Sequence, residues 1–145
     1  MSENPSRPSD PPSARNSSRT RPSTAEIGRC GEDLAADFVV ELGWRVLDRN
    51  WRNRFGELDI IAADADELVV VEVKTRASRV FDDPVAAVTP LKFARMRRLA
   101  REWLAGNRDR WWSRIRFDII SVQLDPHEPL ALDRARVRHH RGVFE

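Results

Sequence analysis

Residues 56–76, GELDIIAADADELVVVEVKTR, restrict the fold more than any other stretch of the chain. Two short runs, 58–63 and 68–73, are apolar except for one carboxylate each, Asp59 and Glu72. A polar turn at 64–67 separates them. β-Branched residues dominate the second run, which favours strand over helix, and the whole reads as a β-hairpin. Residues two apart share a strand face, so Glu57, Asp59 and Ile61 point one way and Leu58, Ile60 and Ala62 the other. In the second strand Val69, Val71 and Val73 share a face, and Val70, Glu72 and Lys74 share the opposite one. A two-residue loop at Ala65-Asp66 sets Asp59 directly opposite Glu72, with both side chains on one side. Like charges so placed destabilise a sheet, and a cation between them removes that cost.

An isolated Glu-x-Lys is ordinarily an exposed, weak ion pair. The flanks of this one change the reading. Leu68 to Val73 is apolar apart from Glu72, which predicts a strand buried on both faces. Buried carboxylates are rarely left unpaired, so Glu72 and Lys74 at the end of such a strand indicate a site.

The 145 residues predict one domain, at 25–145, behind a tail at 1–24. The tail holds five of the nine prolines, seven serines and four arginines, too little apolar surface to offset the entropy of ordering. It has no apolar h-region, so no secretory signal is expected, and no run is long enough for a membrane span. Cys30 is the one cysteine, which excludes an internal disulfide and fits the cytoplasm. The tail's four arginines stand against Glu3 and Asp10, so the surplus of 25 basic over 23 acidic residues belongs to it. The domain is formally neutral, which argues against a uniformly basic nucleic-acid binder. Charge within it is nonetheless uneven. From Lys92 to Arg116 there are nine basic residues against Glu102 and Asp109, a plausible phosphate footprint or else a solvated helix face.

Ser23-Thr-Ala-Glu26 fits a capping box, and Ile27, Gly31, Leu34, Phe38 and Leu42 recur at helical spacing up to Gly43 as the C′ residue. Gly28 and Gly31 are costly inside a helix, and their expected use is close approach to another backbone or to the site. A strand is expected at 44–50, a polar turn at 51–55, and then the hairpin. A loop at 77–84 follows. Thr89-Pro90 opens a second helix with Phe93, Met96, Ala100, Trp103 and Leu104 as its apolar stripe and Gly106 as its end. Arg95, Arg98 and Arg101 fall mostly on its other faces. A strand at 115–124 and a weakly signalled one at 136–140 complete an antiparallel meander flanked by helices. His139 and His140, adjacent in that last strand, are expected to point to opposite faces and to lie at the surface.

Of 25 basic residues only Lys74 and Lys92 are lysines. Against that bias the two look chemically required, because an ammonium is compact and shifts its pKa readily whereas a guanidinium does not.

Gly-x-x-x-Glu32-x-x-Ala35, then Gly-Glu-Leu-Asp59, Val-Glu72-Val-Lys74-Thr-Arg76, Lys92 and Arg116-Phe-Asp118 together resemble the YraN-type family. The resemblance covers roughly residues 25–124, and the run 56–76 carries most of its specificity. It implies a restriction-endonuclease-like fold, an α/β αβββαβ core with a mixed sheet flanked by helices, similar to archaeal Holliday-junction resolvases. It also implies a PD-(D/E)xK nuclease site. Asp59 is then the first carboxylate, Glu72 the second, Lys74 the lysine and Glu32 an outer ligand. Leu58 stands where the wider superfamily often has a proline, a departure that removes no ligand.

The chemistry of the residues agrees. Asp59, Glu72 and Glu32 oppose three negative charges to the one positive charge of Lys74, and a divalent cation balances the remainder. The candidate ligands are all oxygens, with the Val73 carbonyl as a further one, which suits Mg²⁺ or Mn²⁺ and not Zn²⁺. The expected function is metal-dependent hydrolysis of phosphodiester bonds in structured or branched DNA, with DNA favoured over RNA. Lys92, Arg95, Arg98, Arg101 and Arg76 are the expected phosphate contacts, and a homodimer is compatible with the reading. The rivals are a non-catalytic nucleic-acid-binding module of the same fold and an interaction protein that binds no DNA.

Overall fold

The computed structural model describes residues 20–79, 83–86 and 88–143. Most of the expected tail, and residues 80–82 of the expected loop, lie outside the described residues. Helix α1 spans Thr24–Glu41, followed by strands β1 (Arg45–Asn53), β2 (Gly56–Asp64) and β3 (Glu67–Arg76). Helix α2 (Pro90–Ala105), strand β4 (Arg114–Gln123), a 3₁₀ turn at Leu132–Arg134 and strand β5 (Arg136–His140) complete the order. The expected caps form. Ser23 Oγ accepts from the Glu26 N–H and donates to the Glu26 carboxylate, and Thr89 accepts from the Lys92 N–H ahead of Pro90. Gly43, at φ +89°, takes the left-handed C′ position that a side chain resists.

The sheet is ordered β1-β2-β3-β4-β5 and is mixed, not the antiparallel meander that the hairpin pattern alone suggests. β3 and β4 run parallel, from Glu67↔Arg114 to Arg76↔Gln123, while the other neighbours are antiparallel. The intervening segment with α2 is long enough to return the chain to the start of β3, as a parallel crossover requires. β1 runs further than expected, to Asn53, because Trp51, Arg52 and Asn53 pair with Leu58, Glu57 and Gly56. Polar side chains do not prevent that pairing on an edge strand.

Alternation along β3 divides the core. Val69 and Val71 join Ala35, Val39, Ile60 and Ile120 under α1, and Val70 joins Met96, Leu99, Trp103 and Ile119 under α2. On α1 the buried positions are Gly31, Ala35, Ala36 and Val39, so the contact stripe is rotated from the expected one and Leu42 is exposed. Small residues define the contact, and the larger Ile27, Leu34 and Phe38 flank it. On α2 the expected stripe omits Leu99, which is fully buried.

Gly31 shows why the stripe is small. A Cβ there would stand 1.8 Å from Thr75 Oγ1, whereas one at Gly28 meets nothing within 4 Å. Close approach therefore accounts for Gly31 and not for Gly28. Gly31→Ala should destabilise the fold by about 1–3 kcal/mol, despite Ala's better helix propensity. Thermal denaturation checks it, and the double variant with Thr75→Ala should recover only part of the loss, because the Thr75 Cβ that alanine keeps would still stand 2.7 Å away. An unchanged melting temperature in Gly31→Ala contradicts this packing.

Candidate active site

The β2–β3 hairpin keeps its expected register from Asp64↔Glu67 to Ile60↔Val71, closed by Ala65 at φ +53°. The ladder stops one pair before Asp59 and Glu72. There the Val73 N–H donates to Asp59 Oδ2 at 2.8 Å, so a side-chain oxygen takes a donor that a ladder carbonyl would otherwise accept. Asn50, between the paired Arg49 and Trp51 and so opposite Asp59, has φ +51°, a conformation asparagine tolerates better than most residues. The backbone is thus irregular on both sides of Asp59, at the end of the hairpin where the carboxylates lie.

Asp59 is 8% exposed. Burial raises its pKa most, the charge of Glu72 adds to that, the Val73 N–H opposes it, and Glu32 and Glu57 raise it further, to about 8. Without a cation this carboxyl therefore stays largely protonated at neutral pH. Its folded pKa lies above the unfolded value near 3.8, so it contributes stability that is fully present below pH 4 and is lost as pH rises through about 8. Metal-free protein should accordingly melt at a lower temperature at pH 8 than at pH 5, and Asp59→Asn should flatten that difference and melt higher at pH 8. A parallel pH profile in the two proteins contradicts the assignment.

A groove of about 490 Å³ is lined by Gly56, Glu57, Asp59 and Glu72 on the sheet side and by Lys92, Arg95, Met96 and Leu99 of α2. A smaller cavity of about 210 Å³ is lined by Glu72, Val73, Lys74, Arg76 and Lys92. Lys92 Nζ lies 2.7 Å from Glu72 Oε1. Of the expected site residues, Asp59, Glu72, Lys92 and Arg95 line one groove, while Lys74 and Arg76 line the adjoining cavity. Glu32 lines neither. It follows Gly31, where α1 meets Thr75, and acts on Asp59 through its charge.

Arg98 stacks 3.9 Å from the Phe55 ring centroid and pairs with Glu102 at 3.5 Å, and Arg101 is exposed. Arg54 approaches the same ring at 4.6 Å, and Asn53 hydrogen-bonds Glu102, so the β1–β2 turn is fastened to α2 beside the groove. Glu57 lines the groove and acts on Asp59, yet was not among the expected site residues. Its place two residues before Asp59, on the same strand face, was the available signal.

Among the described residues no group of three or more His, Cys, Asp or Glu is gathered closely enough to hold a metal as it stands. The residues nevertheless fit a hard cation of modest demands. Mg²⁺ and Mn²⁺ sites commonly use one or two carboxylates and fill the remaining positions with water and substrate phosphate. Asp59, a buried carboxyl holding a proton beside Glu72, is the donor that a cation would displace the proton from.

The other motif residues serve the fold. Arg116, fully buried, reaches Asp118 at 2.9 and 3.1 Å, Glu67 at 2.6 Å and Asp64 at 3.2 Å, and lies over the Trp44 ring. Burial pushes the Asp118 carboxyl up, but hydrogen bonds from His139, Arg116 and the Gly142 N–H outweigh it and hold the pKa below the usual range. His139 therefore departs from the expected surface position. Its Nε2 lies 2.7 Å from Asp118 Oδ2, and its ring packs edge-on against Trp44 and Phe38. His140 turns the other way, toward Ser121, as alternation requires.

Comparison with known proteins adds three findings. A family model described as "Uncharacterised protein family UPF0102" matches residues 31–122. A "UPF0102 protein" of Rhodococcus opacus (strain B4) is 46% identical over 118 residues, covering 81% of this chain and 95% of its own length. A "UPF0102 protein" of Mycobacterium sp. (strain JLS) is 55% identical over 102 residues, covering 69% of this chain and 75% of its own.

Proposed function

The chain belongs to the uncharacterised protein family UPF0102, and from that premise we propose that it is a metal-dependent nuclease acting on structured or branched DNA. The observation that carries the reading is the Asp59 groove. A buried, proton-holding carboxyl stands beside Glu72 at the end of a hairpin, facing a helix whose near side presents Lys92 and Arg95. Asp59 and Glu72, with the Val73 carbonyl and water, would hold Mg²⁺ or Mn²⁺, and Glu32 would add negative charge from outside. Such a cation supplies an activated water and offsets charge on the phosphate and its leaving oxygen.

The chain's own residues do the rest. The Val73 N–H fixes the Asp59 carboxylate, and the apolar wall of Met96 and Leu99 limits water around it. Lys74 orients the attacking water or meets the phosphoryl charge as it develops. Arg95, Arg98 and Arg101 on α2, with Lys92 and Arg76, would follow the DNA backbone. No helix among the described residues is long and apolar enough to cross a membrane. The cytoplasm, where a lone thiol stays reduced, is the compartment this reading implies.

A second reading is a nucleic-acid-binding module without turnover, favoured by the absence of a ready-made three-carboxylate cluster among the described residues. Calorimetric titration with Mn²⁺ separates the two. The nuclease reading expects one saturable site that Glu72→Gln weakens at least about tenfold, and no saturable binding supports the module. Converting Arg95, Arg98 and Arg101 to Gln should weaken DNA binding. The slope of log K against log salt should also fall by about two to three, since each phosphate contact contributes close to one. An unchanged slope places the DNA elsewhere.

A further inference from the structure

Asp59 and Lys74 line different cavities. Glu72 and Lys92 line both, and they are joined to each other at 2.7 Å. The ion pair is therefore a bar between a groove that carries the carboxyls Asp59 and Glu57 with Arg95 at its helix side and a cavity whose other charged residues are Lys74 and Arg76. We propose that this pair is exchanged on binding, so that a divalent cation and a phosphate group bind cooperatively, the cation taking Glu72 and a phosphate oxygen taking Lys92. The inference rests on the cation site of the preceding section and adds to it a separate phosphate site and a coupling residue.

Three features support the exchange. Glu72 is 19% exposed and Lys92 43%, so their pair is partly hydrated and inexpensive to open. A cation on the carboxylate would repel the ammonium now resting there. A released Lys92 has a ready destination, because the cavity of about 210 Å³ already presents Lys74 and Arg76 and has room for a phosphate group. Lys92 sits in the first turn of α2 with its backbone fixed by Thr89, so the exchange asks only for side-chain rotation. A phosphate held there would lie across Glu72 from the cation, with Lys74 beside it. The coupling is reciprocal: each ligand removes the counter-charge that opposes the other.

The test titrates the full chain with Mg²⁺, with and without saturating thymidine 5′-monophosphate, after subtracting the association of Mg²⁺ with the nucleotide alone. The expected result is a Mg²⁺ affinity raised about fivefold or more by the nucleotide, and an equal gain in nucleotide affinity from Mg²⁺. Lys92→Met and Lys92→Gln should bind Mg²⁺ alone at least as tightly as the parent, and the mutual gain should fall below about twofold. Independent binding of the two ligands in the parent protein, or full coupling in both variants, overturns the exchange while leaving the cation site standing. Absence of Mg²⁺ binding in every sample overturns the cation site and the exchange together.

Discussion

Arg116→Met is expected to lower the melting temperature by about 10 °C or more. The guanidinium is fully buried and is the charge partner of Asp118, itself 0% exposed. Removing one member of a buried ion pair costs about 3–5 kcal/mol, and here Asp118 keeps only its hydrogen bonds with His139 and the Gly142 N–H. That is a large share of the roughly 5–15 kcal/mol that holds a domain together. Asp64 and Glu67, both partly exposed, can turn toward water, so most of the loss falls on Asp118. Adding Asp118→Leu should recover a good part of it, because replacing a whole buried pair by apolar groups is far less harmful than breaking it. The measurement is thermal denaturation of both variants. A shift of a degree or two in Arg116→Met contradicts the network's structural role.

On the proposed nuclease reading, Lys74→Arg is expected to have the second large effect, and it separates role from charge. If Lys74 only balances Asp59 and Glu72, arginine retains most cleavage. If it must reach a water or a phosphate oxygen, arginine fails, because the guanidinium is larger, planar and unable to give up its proton. Small misplacement of a catalytic group can cost about a hundredfold in rate. Lys74→Arg should therefore fold and bind DNA yet cleave at least about a hundredfold more slowly, close to Lys74→Ala. Cleavage near the parent rate would leave Lys74 as a counter-charge alone.

What the sequence discloses and what it hides follow from range. The hairpin register, the Ser23 and Thr89 caps and the Gly43 stop are set by neighbours a few residues apart, and all are present as expected. The parallel β3–β4 pairing is hidden because a long crossover separates the partners and hydrophobic alternation is the same for either direction. The α1 stripe misleads because Ile27, Leu34 and Phe38 outweigh Gly31 and Ala35 in apolarity, whereas contact distance to Thr75 favours the small residues. His139 shows no signal of burial in a short polar strand; its place depends on Asp118, Trp44 and Phe38 meeting in three dimensions. Within the site, the pairing of acids across the hairpin is legible by counting. The separation of Asp59 from Lys74 by the Glu72–Lys92 pair is not, because it depends on where two flexible side chains rest.

The most direct test of the nuclease reading is cleavage with Mn²⁺ across duplex, single-stranded, flap and four-way-junction DNA, run beside Asp59→Asn and Glu72→Gln. The reading predicts Mn²⁺-dependent cleavage of a branched substrate, faster than of plain duplex, abolished by chelator and reduced at least about a hundredfold by either substitution. No cleavage of any substrate by folded, Mn²⁺-binding protein, or cleavage that survives both substitutions, would contradict it.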